Sequence, residues 1–529
     1  MKRKRRFLWS IGLAAAALTA MFLLATAALP LRAQANGPTL TDSNLSLRTA
    51  VGGLTTPIGI AFLSESRWLV IEKNTGQVKV VDDGSVTGTA LDLAVNFASE
   101  RGLLGIALHP NFATNRFVYL FWTCSAAPPA AESLFFPTAT ECPDTPALGA
   151  DTDDILAVPL LGNRVDRFVW DPATSTLAFD LNLIKLRAFQ NDGAPTPPDQ
   201  GDETQIARGN HDGGVIRFGP DGKLYVYFGD NGRRGQLQNL PSGPTLTGLG
   251  PTVPDDQFGG PQADDAHLAG VILRLNDDGS TPTDNPFFAA GAAMGGEVGA
   301  NVQRIYAYGL RNSFGMAFDP KSGNLWDQEN GEDAFDELNL IEPGMNSGWI
   351  QIMGPLSRLP EFKEIETTSL HHEGFPNLQQ FRWGPERIAD TAQDALSRLF
   401  ELPGSHYSEP EFSWKYVVAP GAIGFLKGRA LGPQYDGDLF VGNGAFDDSV
   451  GGYLYRFNLT GNRRKIAVDD PRLEDRVVDN LTFHDHTEAE DLLFGTGFGT
   501  VTEIQTGPNG NLFVVSLGDG TVYEIFRNK

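Results

Sequence analysis

The chain has 529 residues, with 60 glycines, 34 prolines and only 20% charged residues. That mixture suits a sheet protein with many tight turns and excludes a helical bundle or a disordered chain. The formal net charge of −24 argues against nucleic acid or an anionic lipid surface as a partner.

The chain opens with a targeting segment. A basic "MKRKRRF" precedes the almost wholly apolar "LWSIGLAAAALTAMFLLATAALPL", and small residues follow at Ala33–Ala35. That is the layout of a secretory signal peptide over residues 1–35. The apolar run is also long enough to span a bilayer, so an uncleaved anchor stays open, and with it the one route to membrane contact. In either case residues 36–529 are expected to be exported: periplasmic, extracellular or on the cell surface. The segment carries six basic residues and no acidic ones, so its removal moves the formal charge from −24 to −30. Two cysteines, Cys124 and Cys142, bracket a Pro/Ala-rich excursion. In an exported chain they are expected to form a disulfide pinning a surface loop. Closing a loop of that size contributes roughly 3 kcal/mol.

A short unit recurs along the remainder. "GPDGKLYVYFGDNG" (219–232), "DPKSGNLWDQENG" (319–331), "QYDGDLFVGNG" (434–444) and "GPNGNLFVVSLGDG" (507–520) share one plan, and "LSESRWLVIEKNTG" (63–76) is a weaker copy. Each has a turn of Pro, Asp, Asn and Gly, then a strand opening on leucine and an aromatic residue, then a glycine turn. Repeated short-strand units predict an all-β fold, a β-propeller in which each copy is the middle of one blade. Residues 36–529 then form a single propeller domain, with insertions near 124–152, 233–266, 279–300 and 353–410. The last is expected to hold a short helix in "PERIADTAQDALSRLFEL". Insertions on one rim of a toroid build or cover a site, so the ligand is expected there. The segment "NLSLRTAV" (44–51) is placed to pair with "GTVYEIF" (520–526) and close the ring.

Five blocks stand above the repeat: 99–112, 210–232, 270–287, 304–320 and 325–341. His211 lies at a glycine-rich strand entrance, either as a satisfied structural residue or as a general base near neutral pH. Arg311 ends an aromatic strand with its planar fork available for carboxylates, unless it locks two neighbouring blades. Asp327, Glu329, Glu332, Asp333, Asp336 and Glu337 fall within eleven residues around a glycine. So many carboxylates on a turn call for a cation such as Ca²⁺, or else an exposed acidic loop. "HHE" (371–373) and "HDHTEAED" (484–491) lack metal-site spacing and read as solvated loops. Hydrolase elbows, phosphate loops and "HExxH" helices are absent from the sequence.

Taken together, "GLLGIALHPNF", "DGKLYVYFGD", "LRLNDDGS…DNPF" and "GLRNSFGMAF" resemble the soluble quinoprotein sugar dehydrogenases. This is the glucose/sorbosone dehydrogenase group, with its aldose dehydrogenase and hedgehog-interacting-protein-like relatives. The resemblance implies a six-bladed β-propeller with long inserted loops. It also implies pyrroloquinoline quinone (PQQ) on the axial face with Ca²⁺ beneath it, a small-molecule sugar substrate and an unspecified electron acceptor. On this resemblance His211 is the catalytic base, Asp230 orients it, and Arg311 and Asn312 touch the quinone oxygens. Glu100 stands where the family has a cofactor-binding glutamine. Gly331 and Glu332 form the calcium turn, Asp336 is a carboxylate of the same block, and Lys427 lies near a lysine that pairs with a cofactor carboxylate.

The chain also departs from the pattern. Asn210 replaces an aspartate, Glu332 a proline, and Thr500 and Thr502 two cofactor arginines; Arg101, Arg233 and Arg234 are the candidate substitutes. Three readings follow. The first is an exported Ca²⁺- and PQQ-dependent sugar dehydrogenase. The second is a PQQ-less, calcium-stabilised propeller that binds a glycan or protein partner, and the third a calcium-dependent lactonase-like hydrolase.

Overall fold

The computed structural model describes residues 37–97, 99–125, 161–188, 210–231, 239, 268–368, 388–444, 452–482 and 487–528. Within them the chain folds into six sheets of four to six strands, each built on four antiparallel strands, three of them with short additions. The innermost strands are Pro57–Phe62, Leu103–Leu108, Ile216–Phe218, Gly315–Phe318, Pro420–Phe425 and Val501–Thr506. Each packs against the next, and the last returns to the first, so the six form a closed ring. The all-β propeller expected from the repeat is the observed architecture.

Every quoted copy of the repeat is the second strand of its sheet: Arg67–Glu72, Leu224–Phe228, Leu325–Glu329, Leu439–Asn443 and Leu512–Ser516. The remaining sheet has Phe117–Thr123 in that place. There a helical turn, Phe112–Asn115, replaces the Pro/Asp/Gly turn, which hid the copy from the sequence pattern. Strands such as "LYVYF" are buried along their whole length. A middle strand has a neighbouring sheet on each face, so apolar residues follow one another without alternation. The core is correspondingly divided into layers, one between each pair of adjacent sheets.

Ring closure follows the expected pairing. Leu45–Val51 runs antiparallel to Thr521–Arg527, with Leu47 opposite Ile525 and Val51 opposite Val522. A strand near the start of the described chain thus completes the sheet made by the last three. Two insertions contain helices. Residues 279–300 carry Phe288–Met294 and the start of Gly296–Val302, where the sequence reading had only loop. The stretch 353–410 holds Leu359–Thr368 and, inside the segment expected to be helical, Ala392–Ser397, capped by Thr391. The signal segment, Cys142 and most of the insertions 124–152 and 233–266 lie outside the described residues. Among the described residues no helix is long and apolar enough to cross a membrane.

The ring leaves no room for side chains where inner strands meet. A Cβ on Gly105 would stand 2.1 Å from the Gly214 carbonyl oxygen, and one on Gly424 2.2 Å from that of Ile504. Gly105→Ala is therefore expected to cost roughly 1–3 kcal/mol through overpacking against backbone, read as a lowered midpoint in chemical denaturation.

Candidate active site

Antiparallel strands alternate in direction, so connections entering the innermost strands share a rim with those joining second to third strands. Glu100, His211, Arg311 with Asn312, and Thr500 lie in the connections that enter four of the innermost strands. Asp230, Gly331 and Glu332 lie between second and third strands. These distant segments therefore meet at one axial face. Lys427 does not join them. It follows the innermost strand Pro420–Phe425, in the connection on the opposite rim. It is exposed, and its backbone N–H donates to Thr506 Oγ1. At about 3.3 Å per residue it stands roughly 20 Å along the strand from Pro420, whose carbonyl accepts from Asn330 at the site. Its expected place beside a cofactor is corrected by that geometry.

His211 and Asp230 form a buried pair, Nδ1 to Oδ1 2.6 Å. Trp349 Nε1 donates to the other Asp230 oxygen at 3.0 Å, and the Asp230 N–H donates to the Arg311 carbonyl at 2.9 Å. His211 has φ +57°, a left-handed conformation uncommon outside glycine. Its N–H is held by Glu100 Oε2 at 2.7 Å, and the same oxygen accepts from Asn312 Nδ2 at 3.2 Å. Glu100 thereby clamps the histidine backbone and the Arg311–Asn312 loop together. Backbone strain of this kind persists where surrounding contacts over-determine it, and it collects at functional sites.

Arg311 is almost wholly buried. Its backbone N–H donates to Glu329 at 2.5 Å, and one terminal nitrogen donates to the Asn330 carbonyl at 2.9 Å. The other terminal nitrogen pairs with Glu332, and the guanidinium carbon sits 5.6 Å from the centre of the Trp349 ring. Burial works to lower the pKa of Arg311, but the charges of Glu332, Asp230 and Glu100 outweigh it and raise it.

The acidic block does not form the single turn expected from its spacing. Only Glu332 and Asp333 lie in the turn; Asp327 and Glu329 are on one strand, Asp336 and Glu337 on the next, all four buried. Glu329 is directly opposite Glu337. Burial first, and then neighbouring negative charge, pushes Asp327, Glu329 and Glu337 upward. Asn339 Nδ2 lies 3.2 Å from both glutamates and donates to them. Asp336 accepts from the N–H groups of Gly331, Val418 and Ala419 at 2.8, 2.6 and 2.7 Å. It is a strap for the turn, and burial pushes it up to about 6. Among the described residues no three His, Cys, Asp or Glu side chains converge as a metal cage. A cation at this turn would depend on the backbone carbonyls of Gly331 and Glu332.

Below the rim lies an axial cavity of about 180 Å³, lined by residues that include Lys73, Glu100, Arg217, Thr500, Thr502 and Glu503. Arg217 pairs with Glu503 at 2.6 Å, and Lys73 Nζ donates to the carbonyls of Phe97 and Ser99 at 3.1 and 2.9 Å. Thr500 and Thr502 thus stand on the cavity wall where arginines were expected, and Lys73 and Arg217 line it from other strands. Arg101 is turned inward, donating to Asn96 at 3.0 Å. Arg233 and Arg234 lie outside the described residues. Trp349, Lys73 and Arg217 were not read from the sequence as site residues, because nothing in their local spacing distinguishes them from ordinary loop and strand positions.

The class that this geometry defines is a β-propeller with a buried histidine–aspartate pair beside an arginine at the mouth of its axial cavity. The glucose/sorbosone dehydrogenase family model matches residues 54–139 and 200–357 of the chain. The resemblance read from the sequence is thereby borne out. Quinoprotein glucose dehydrogenase B of Acinetobacter calcoaceticus is 28% identical over 392 residues, 72% of this chain and 64% of that protein. Aldose sugar dehydrogenase YliI of Escherichia coli is 26% identical over 312 residues, 59% of this chain and 58% of that protein. The HIPL1 protein of Arabidopsis thaliana is 24% identical over 69% of this chain and 45% of its own length. The chain thus spans less than two thirds of each of these relatives. The apo aldose sugar dehydrogenase of Escherichia coli superposes with a TM-score of 0.56 at 21% identity, covering 92% of this chain and 100% of that one. The PQQ-bound aldose sugar dehydrogenase of Streptomyces coelicolor does so at 0.51 and 21%, covering 93% and 100%. These two structures establish the shared fold.

Asp212, next to the histidine, is fully buried. Its Oδ1 accepts from Asn163 at 2.7 Å, and its Oδ2 has no partner among the described residues. Burial pushes it up to about 7 from 3.8. Between those values the folded chain keeps a proton that the unfolded chain releases, so this group's contribution to stability falls as pH rises through that window. Asp212→Asn is expected to flatten that part of the dependence, measured as denaturation midpoints from pH 4 to pH 8.

Proposed function

We propose that the protein is an exported dehydrogenase, PQQ-dependent and assisted by Ca²⁺, that oxidises an aldose or related sugar at its anomeric hydroxyl to a lactone. The observation that carries this reading is the His211–Asp230 pair, held in a strained backbone beside Arg311 and Asn312 at the mouth of the cavity. We read the six sheets as six blades, which the ring of innermost strands supports. Export rests on the signal-like layout of residues 1–35.

The residues present fit the proposed groups. Arg311 Nε and Asn312 Oδ1 are buried without hydrogen-bond partners among the described residues, as suits a polar ligand not yet in place. Arg311 would donate to the quinone oxygens with Asn312 beside it, and Lys73 puts a cation on the wall of the cavity, where Arg217 is paired with Glu503. The backbone carbonyl oxygens of Gly331 and Glu332 are the hard donors that would hold calcium. When bound, PQQ supplies a two-electron hydride acceptor, and calcium polarises its carbonyl.

The remaining steps belong to the chain. Asp230 accepts from His211 Nδ1 and so leaves Nε2 to take the proton of the sugar hydroxyl as the carbon gives up hydride. Trp349 fixes the second Asp230 oxygen, and Glu100 fixes the backbone that carries the imidazole. The buried Arg311 guanidinium places positive charge where negative charge develops on the acceptor. One observation favours the second reading, a PQQ-less propeller that binds a glycan or protein: Glu332 already occupies Arg311.

Titration of the purified protein with PQQ and Ca²⁺ is expected to give uptake and sugar-dependent reduction of an artificial acceptor. No uptake at micromolar PQQ would remove the dehydrogenase reading. Given uptake, His211→Ala should lose turnover while retaining PQQ, and Asp230→Asn should lower kcat by about 10²–10⁴-fold. Unchanged turnover in His211→Ala would take the histidine out of the mechanism.

A further inference from the structure

Asn239 belongs to the insertion 233–266 and is completely buried. Its Nδ2 donates to Asn346 Oδ1 and to the Trp349 carbonyl, both at 2.8 Å. Its Oδ1 accepts from Asn346 Nδ2 at 2.8 Å and from the Phe400 N–H at 2.9 Å. Two donors and two acceptors are the full capacity of an amide, so nothing on this side chain is left over. Asn346 Nδ2 also reaches the Phe400 carbonyl at 3.1 Å, and Phe400 belongs to the other long insertion, 353–410. One reciprocal amide pair therefore joins both insertions to the segment 346–349. That segment carries Trp349, whose N–H donates to the Gly309 carbonyl at 2.9 Å. With its carbonyl held by Asn239, Trp349 is fixed at both ends of its backbone. A Cβ on Gly309 would stand 2.1 Å from Asn346 Oδ1 and 2.9 Å from Asn239 Nδ2, so the pair is pressed against the backbone that leads to Arg311.

We propose that Asn239 is a positioning residue for the His211–Asp230 pair and acts through Trp349. Its effect on turnover rests on the dehydrogenase reading above. Asp230 gives one oxygen to His211 and the other to the Trp349 indole N–H, at 2.6 and 3.0 Å. An indole that moves away leaves the second oxygen buried without its donor and frees the carboxylate to turn from the imidazole. The same ring lies 5.6 Å from the Arg311 guanidinium, so its place also shapes the arginine side of the site. Among the described residues the Asn239 side chain bonds only Asn346, Trp349 and Phe400. It contributes orientation and makes no contact with the base. The two insertions thus build the site from behind, by keying the segment that aims Trp349.

The test uses the full chain labelled with fluorotryptophan, with the Trp349 resonance in fluorine NMR assigned by its loss in Trp349→Phe. Asn239→Ala removes every contact of the side chain. Asn239→Asp keeps the acceptors for Asn346 and Phe400 and removes the donor to the Trp349 carbonyl, so it carries the test if Asn239→Ala does not fold. Both are expected to shift the Trp349 resonance in the absence of PQQ. With PQQ and calcium both should lower kcat for sugar oxidation about tenfold at an unchanged KM. In a Trp349→Phe background, which lacks the indole N–H, Asn239→Asp should lower kcat no further. An unmoved Trp349 resonance overturns the inference whether or not the protein oxidises sugar. A moved resonance with full kcat overturns it too, as does an equal loss of kcat in the Trp349→Phe background. If the unsubstituted chain takes up no PQQ, the dehydrogenase reading fails, and the resonance alone decides whether Asn239 sets Trp349.

Discussion

Closure of the innermost strands into one ring is the constraint on which the rest of the structure depends. Adjacent sheets approach so closely there that glycine is required, as at Gly105 against the Gly214 carbonyl. The strand Leu45–Val51 must pair with the last one to complete the circle. Once the ring is closed, connections that are far apart in the chain are forced onto a single rim. Glu100 and His211 are separated by 111 residues and Glu100 and Asn312 by 212, yet one carboxylate oxygen bonds both. The site is a consequence of closure rather than of any one segment.

The second theme is charge kept out of water. The axial face gathers Glu100, Asp230 and Glu332 around one buried arginine, and a further set of acids lies just beneath in the core. Burial alone would expel them. Backbone N–H groups and asparagine side chains donate to them, as at Asp336, Glu329 and Glu337. Glu329 shows the connection to function, since it accepts the Arg311 N–H and so sets the position of the guanidinium above it. Trp349 serves similarly, joining the arginine by its ring face and the aspartate by its N–H.

Similarity to sugar dehydrogenases and the geometry of the histidine pair point the same way, whereas Thr500, just before the last inner strand, and Thr502, on it, stand where the resemblance implies arginines. The cavity does not lack positive charge for that reason. Lys73 and Arg217 line it from the first and third sheets, positions unrelated in sequence to the threonines, and Glu503 on the same wall pairs with Arg217. Comparing sequences position by position hides such a transfer, because a cavity wall is assembled from strands that share only their distance from the axis.

The sequence by itself determined a great deal about this protein. Turn residues and leucine–aromatic strand starts identified the propeller and five of its second strands, and "NLSLRTAV" was recognisable as the closing strand because its β-forming residues suit an antiparallel partner at the other terminus. His211, Asp230, Arg311 and Asn312 were legible because the repeat leaves them unexplained. Tertiary structure alone decided the rest. It sent Lys427 to the opposite rim, since a connection after an innermost strand leaves on the far face. It divided the acidic block between two buried strands and one turn, because a hairpin places residues eight apart directly opposite each other, as with Glu329 and Glu337. It also put Trp349 against both Asp230 and Arg311, a contact with no local signature. Local propensity is written in neighbouring residues, whereas a site at the axis of a ring is made of residues that become neighbours only when the ring closes.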